Sequence, residues 1–190
     1  YNLDIVETYE GFVLARADPS QVSSMMSNKI VVEDAGHIRD IMLKAATFDS
    51  RTGEPAISAS LKMDDYSVRT KGYYIVQFIG PVKDDWKSRL VSTGAEILRY
   101  IPNNAFLVRM TPEARDSLSS LRHVAWTGVY QPAYKIDPAL VNAYGITPIE
   151  VVTFPGTPVA SVVAYLNKQG YGRTTFSGLT PGVISYYQAD

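Results

Sequence analysis

The strongest constraint on the fold is an internal repeat in this chain of 190 residues. The segment FVLARADP, residues 12–19, matches AFLVRMTP, residues 105–112, at a constant offset of 93 positions. Each segment has the pattern of a short strand with an arginine near its end, followed by Asp18 or Thr111 and then a proline. Asp and Thr are favoured helix N-caps, and proline suits the first helical position because its missing N–H has no partner there. The repeat therefore predicts two copies of one strand-and-helix unit.

The second copy lies inside a longer pattern, residues 71–136, with four predicted strands and two predicted helices. The strands are rich in aromatic and β-branched residues and comprise residues 73–78, 95–101, 105–110 and 124–129. Apolar residues at helical spacing predict the helices: Val82, Trp86 and Leu90, ended by Gly94, and then Ala114, Leu118 and Leu121. Asn103 and Asn104 suit a tight turn because asparagine tolerates positive φ. The order βαββαβ predicts a ferredoxin-like unit, an antiparallel sheet with both helices on one face.

Partial copies of this unit are predicted at both ends of the chain. Residues 1–35 have the pattern of a ββαβ half whose returning strand is residues 30–32. Residues 148–190 have the pattern of a βαββ half. Its helix is expected to end at Gly170, and its last two strands flank a turn that contains Gly178, Pro181 and Gly182.

Two connections complete the predicted organisation, an extended connecting segment at residues 36–70 and a linker at residues 137–147. We therefore expect an α+β chain of tandem ferredoxin-like units, one complete and two partial. Because Tyr1 is not a natural start, we expect the chain to be cut from a longer protein. Incomplete end units with open sheet edges favour self-association.

Charge and composition argue against several classes of partner and cofactor. The formal net charge is −1, without the basic excess of a nucleic-acid-binding protein. No apolar run approaches the length of a membrane span, and the absence of cysteine excludes a Cys-ligated metal. His37 and His123 lie far apart in the sequence, and a structural role is the simpler interpretation for each. The sequence predicts no catalytic, cofactor-binding or metal-binding residue.

Residues 72–136 resemble the N-terminal prodomain, an inhibitor-like propeptide, of subtilisin-like serine proteases. The resemblance lies in the opening strand YYIVQF, the Gly80-Pro81 break, the phrase YIPNNAFLVR, the helix start at Thr111 and the closing VAWTGVYQPAYK. Residues 1–35 and 147–190 resemble the same family more weakly. The family's catalytic Asp-Ser/Thr-Gly, His-Gly-Thr and Gly-Thr-Ser motifs do not occur in this sequence.

The resemblance implies a non-catalytic fragment of a protease precursor, or zymogen. Such prodomains act in cis as intramolecular chaperones and as inhibitors of their own catalytic domain. The open face of the sheet packs on two surface helices of the protease, and the tail after the last strand lies in the active-site cleft. The full-length precursor is then a subtilisin-like serine endopeptidase that is secreted, either extracellular or at the cell surface.

The alternation of side chains along a strand predicts which residues form the partner-binding face. If Tyr74, Val76, Phe78, Phe106, Val108 and Met110 point to the helices, another set must point away from them. That set is Tyr73, Ile75, Gln77, Leu107 and Arg109. Its mixed apolar and polar character is typical of an interface. The alternative is that residues 36–70, or a neighbouring copy of the unit, cover this face.

Two other functions remain open at the level of sequence. The chain could be a repeated ferredoxin-like module for protein binding or assembly, with no protease attached. It could also be a regulatory domain, because tandem βαββαβ units can bind small ligands between them.

Overall fold

The computed structural model of the protein describes residues 1–144, 149–169, 173–175 and 183–187. They fall into two compact units, Tyr1–Asp137 and Pro138–Asp190. The strands are β1 (Asp4–Thr8), β2 (Val13–Arg16), β3 (Asp40–Met42), β4 (Thr47–Asp49), β5 (Gly72–Phe78), β6 (Glu96–Ile101), β7 (Ala105–Met110), β8 (Val124–Val129), β9 (Ile149–Val152), β10 (Arg173–Thr175) and β11 (Val183–Tyr187). The α-helices are α1 (Pro19–Ser27), α2 (Asp84–Ser92), α3 (Pro112–Ser117) and α4 (Val159–Gln169).

The central sheet contains four antiparallel strands in the order β6-β7-β5-β8. Helix α2 connects β5 to β6 and α3 connects β7 to β8, so the elements follow the predicted order βαββαβ. One core joins Trp86 and Leu90 of α2 and Leu118 after α3 to the sheet. The sheet contributes Tyr74, Val76, Phe78, Phe106, Val108 and Met110 to that core, the set predicted to point to the helices.

The turns and helix ends of the central sheet follow from local chemistry. Gly94 has a φ of 91° and ends α2, a conformation that costs other residues a steric clash. Asn103 and Asn104 have φ values of 65° and 66° between β6 and β7, as a tight hairpin turn requires. Thr111 caps α3, because its Oγ1 accepts a hydrogen bond from the backbone N–H of Ala114 at 3.3 Å.

The N-terminal hairpin of β1 and β2 repeats the β6–β7 hairpin in register as well as in sequence. Arg16 of β2 pairs with Asp4 at 2.7 Å, and Arg109 of β7 pairs with Glu96 at 2.7 Å. Each first strand then carries a bulge two residues later, at Val6 and Leu98. The two first strands therefore match at an offset of 92, and the offset becomes 93 only after the turn.

The prediction of a strand at residues 30–32 is wrong. After α1 this segment has no regular structure, and the Val31 side chain is 86% exposed. Its counterpart in the central unit is part of β8, which pairs with β5. Among the described residues the sheet of β1 and β2 has only those two strands. A strand needs a neighbour for its backbone hydrogen bonds, and β2 has no β5-like neighbour beside which residues 30–32 could pair.

The second unit consists of β9, α4, β10 and β11, with an antiparallel sheet in the order β10-β11-β9. The expected helix end at Gly170 and the expected turn at Gly178, Pro181 and Gly182 lie outside the described residues. The protein is thus a mixed α+β chain with antiparallel sheets, whereas its organisation as tandem ferredoxin-like units stays a prediction. Within the described ranges, no helix has the length and apolarity needed to cross a membrane.

Candidate partner-binding face

The five residues predicted to point away from the helices share one face of β5 and β7. Tyr73 pairs with Arg109 across the two strands, and Ile75 pairs with Leu107. Neither these four residues nor Gln77 belongs to the core between sheet and helices. Ile75 and Gln77 are fully buried and Leu107 is 5% exposed, whereas Tyr73 and Arg109 are half-buried.

Residues 38–54, which we call the strap, bury the middle of this face. The strap contains the β3–β4 hairpin, and its Ile41 is fully buried. Ser50 Oγ donates a hydrogen bond of 2.6 Å to Gln77 Oε1. Gln77 Nε2 donates bonds of 3.1 Å each to the carbonyl oxygens of Ile38 and Asn103. The buried amide of Gln77 thus satisfies its acceptor and both donors, as a buried polar group must.

The strap also contacts the chain that follows β8, residues 131–137, which we call the tail. The Phe48 ring contacts Trp126 of β8 with ring centroids 5.6 Å apart and Tyr134 of the tail at 6.1 Å. Tyr134 donates a hydrogen bond of 3.1 Å to Glu54, and Lys44 forms an ion pair with Asp137. Burial raises the pKa of Tyr134, and the charge of Glu54 acts in the same direction.

The structure corrects the expectation of an open face. Of the two alternatives weighed from the sequence, cover by residues 36–70 describes Gln77, which Ser50 and Ile38 contact, and Ile75 and Leu107 on the same face are buried too. The alternation of β5 and β7 predicts where each side chain points, but it carries no information on what lies above it. The contribution of Ser50 has no sequence signal, because a serine in an irregular segment is usually exposed. Binding of a partner by the five residues stays a prediction.

We expect Gln77→Leu to lower the free energy of unfolding by about 2–3 kcal/mol, since it leaves buried polar groups without partners. The Ser50 hydroxyl loses its acceptor, and the carbonyls of Ile38 and Asn103 lose a donor. Urea unfolding of Gln77→Leu, Ser50→Ala and the double variant measures the coupling. If Ser50→Ala lowers the free energy of unfolding equally in the wild type and in Gln77→Leu, the Ser50–Gln77 hydrogen bond does not contribute to stability.

The charged side chains of this face lie at its half-buried edge, around Tyr73 and Arg109, which we call the rim. Arg109 contacts Glu96 through Nε at 3.0 Å and through a terminal nitrogen at 2.7 Å. The Glu96 carboxylate raises the pKa of Arg109, mainly through these hydrogen bonds. The Lys135 ammonium lies 5.8 Å from the centre of the Tyr73 ring, within the range of a cation–π interaction. A half-exposed arginine and an aromatic ring are residue types enriched in protein interfaces.

Away from this face, a cluster of charged and aromatic side chains connects the β1–β2 hairpin to α2 and to the start of β8. Lys83 Nζ donates to Glu7 Oε1 at 2.9 Å and to the carbonyl oxygen of Thr8 at 2.8 Å. His123 is buried and stacks on Trp86 with ring centroids 4.4 Å apart. Arg122 Nε donates to His123 Nε2 at 3.0 Å, which assigns the ring hydrogen to Nδ1. Among the described residues His123 Nδ1 has no hydrogen-bond partner, and Glu7 Oε2 lies 3.6 Å away.

This cluster makes stability depend on pH. Burial lowers the pKa of His123 below its value in the unfolded chain, and Arg122 acts in the same direction against the attraction of Glu7. The unfolded chain therefore takes up a proton first as the pH falls through about 6.5. We expect the stability due to neutral His123 to be complete well above that pH and to be lost progressively as the pH falls below it.

Urea midpoints measured from pH 7 to pH 5 test this expectation. His123→Phe keeps an aromatic ring against Trp86 and should flatten the pH dependence. The matched control is His37→Gln, whose side chain is exposed and which should keep the wild-type slope. An unchanged slope in His123→Phe would show that other groups cause it.

The described residues offer little for metal or acid–base chemistry. They contain no group of three or more His, Asp or Glu side chains that could hold a metal ion. One groove of about 480 Å³ lies between α3 and β8, and a cleft of about 250 Å³ lies between the tail, the strap and residues 55–58. The cleft is lined mostly by small side chains such as Ala45, Ala46 and Ala133. The best-developed feature is therefore the covered face and its tail.

Comparison with known proteins places part of the chain beside proteins named as serine proteases. A family model described as a domain of unknown function, DUF8729, matches residues 42–131. The Serine protease/ABC transporter B family protein tagB of Dictyostelium discoideum is 35% identical to this chain over 38% of it. The related protein named tagD, from the same organism, is 35% identical over 35% of the chain.

These similarities are partial in both directions. The chain covers 5% of the length of tagB and 4% of the length of tagD. No solved structure matches the chain at a comparable level. The matched family range begins in β3 and ends in the tail, so it includes most of the strap together with the central sheet.

Proposed function

We propose that this chain is a non-catalytic fragment of a subtilisin-like serine protease precursor and that it assists folding of the catalytic domain and inhibits it. The observation that carries the proposal is the similarity to two proteins named as serine proteases in a chain without the catalytic motifs. The βαββαβ order of the central unit and its strand order β6-β7-β5-β8 add support, because they suit a ferredoxin-like prodomain.

The roles of the parts follow from this proposal. The half-buried Tyr73 and Arg109, together with Ile75, Gln77 and Leu107 of the same face, engage the protease surface. The tail enters the protease cleft. The full-length precursor is a subtilisin-like serine endopeptidase, secreted or at the cell surface, and the fragment needs no cofactor.

Inhibition is the direct test. The folded chain is titrated into a purified subtilisin-like catalytic domain while peptide hydrolysis is followed, with a trypsin-like protease as the control for specificity. Dose-dependent, slowly relieved inhibition of the subtilisin-like enzyme alone is expected. A folded chain that inhibits neither enzyme would instead favour the protein-binding or assembly module.

A further inference from the structure

We propose that the strap is a built-in occupant of the partner-binding face, and that a partner binds this face only after the strap opens. The identity of the partner, a subtilisin-like catalytic domain, rests on the proposed function. The opening of the strap does not. In this proposal the partner-binding face is already occupied by the strap, a segment of the same chain.

The contacts of the strap indicate what the face accepts. Ile41 and Phe48 supply an aliphatic and an aromatic side chain, both buried. Ser50 and the carbonyl of Ile38 supply a hydroxyl donor and a carbonyl acceptor to Gln77. A partner that replaces the strap must offer the same chemistry, apolar side chains beside a hydroxyl group and a hydrogen-bond acceptor, because an unsatisfied Gln77 amide would cost binding energy.

The strap lies on the central sheet without joining it. Strands β3 and β4 form a separate two-stranded sheet, so the strap can leave without breaking any hydrogen bond between β5 and β7. A hairpin of two three-residue strands has little stability of its own. The strap therefore depends on the face beneath it, and a competing partner has only those side-chain and backbone contacts to replace.

The same movement would release the tail. Strap residues Lys44, Phe48 and Glu54 each contact the tail, at Asp137 or Tyr134. The Lys44 side chain is 78% exposed, and an ion pair at such a site contributes little stability. One opening thus exposes both the face and the tail.

Native-state hydrogen exchange tests the opening without any partner. Reporters in the strap are the amides of Leu43 and Ser50, bonded to the carbonyls of Ala46 and Arg39. Reporters of the sheet are the amides of Phe78 and Tyr130. We expect the strap amides to exchange together and at least about tenfold faster than the sheet amides, through a partial opening. Exchange of the Ser50 amide only at the rate of global unfolding would overturn the proposal, since the strap would then be part of the core.

A reversible lock tests the consequence for binding. The chain has no cysteine, so Lys44→Cys combined with Asp137→Cys can be bridged by a reducible bismaleimide that joins strap to tail. Inhibition of the subtilisin-like catalytic domain is measured before and after reduction. The matched control is the same double variant capped with N-ethylmaleimide. We expect release of the lock to lower the inhibition constant at least about tenfold.

The outcomes separate the two proposals. Equal inhibition by locked and released chains would overturn the strap as a gate while leaving the inhibitor function intact. If neither form inhibits although the strap amides exchange early, the proposed function fails and the exchange data support the opening. If the strap amides exchange only with the sheet, the gate is overturned whatever the inhibition assay gives.

Discussion

Leu107→Asp is expected to lower the free energy of unfolding by at least about 4 kcal/mol, because it removes a buried side chain and places a carboxylate in the same site. Leu107 is 5% exposed and pairs across the strands with the fully buried Ile75. The carboxylate would lose most of its contact with water, and the exposed Arg99, which pairs with position 107 across β6 and β7, would offset only part of that cost. Either the strap lifts off or the aspartate takes up a proton, and both outcomes cost stability.

Urea unfolding followed by circular dichroism measures the effect. The matched control is Val31→Asp, a similar change at an 86% exposed position, which should alter stability by less than about 0.5 kcal/mol. A Leu107→Asp chain as stable as the wild type would show that the strap does not cover this face in solution. Since Leu107→Asp destabilises the whole fold, a loss of partner binding in this variant would not show where the partner binds. Arg109→Ala, at a half-buried position of the same face, is the better probe of the interface.

Trp86→Ala is expected to lower the free energy of unfolding by about 3–5 kcal/mol, the usual cost of removing a large buried aromatic ring. Trp86 is 2% exposed and lies between Phe78 and His123, with ring centroids 5.8 Å and 4.4 Å away. Its loss leaves a cavity under α2 that neither the sheet nor the helix can fill without moving.

Urea midpoints compare this variant with Val91→Ala, a change on the same helix at a 51% exposed position. The cavity should also admit water to His123, so the pH dependence between about pH 7 and pH 5 should weaken in Trp86→Ala, because burial is the main cause of its lowered pKa. A loss below about 1 kcal/mol would contradict the central place of this ring in the core.

Local chemistry in the sequence was sufficient for much of the central unit. The Thr111-Pro112 start, the positive φ at Asn103 and Asn104 and the stop at Gly94 each depend on one or two residues. The side chains of Tyr74 and Phe106 point towards the helices, as the alternation of side chains along a strand alone predicts. The internal repeat allowed the same predictions for β1, β2 and α1, including the N-cap at Asp18, because similar local sequences fold in similar ways.

The prediction made from the repeat was wrong where a strand needs a partner that is distant in sequence. Residues 30–32 match the start of β8 in sequence position, yet they have no regular structure because no β5-like strand lies beside β2 among the described residues. The strap was equally beyond local inference. Its hairpin strands contain three residues each, too few to show a hydrophobic period.

The sequence by itself thus determined the caps, the turns and the two faces of the central sheet, because these depend on backbone preferences and on the alternation of neighbouring side chains. Only the tertiary structure decided that the face opposite the helices is covered as well. The hydrogen bonds of Gln77 to Ser50 and Ile38 join residues 27 and 39 positions apart. Contacts of that range arise from the packing of the whole unit, and they convert a predicted open face into one that carries its own cover.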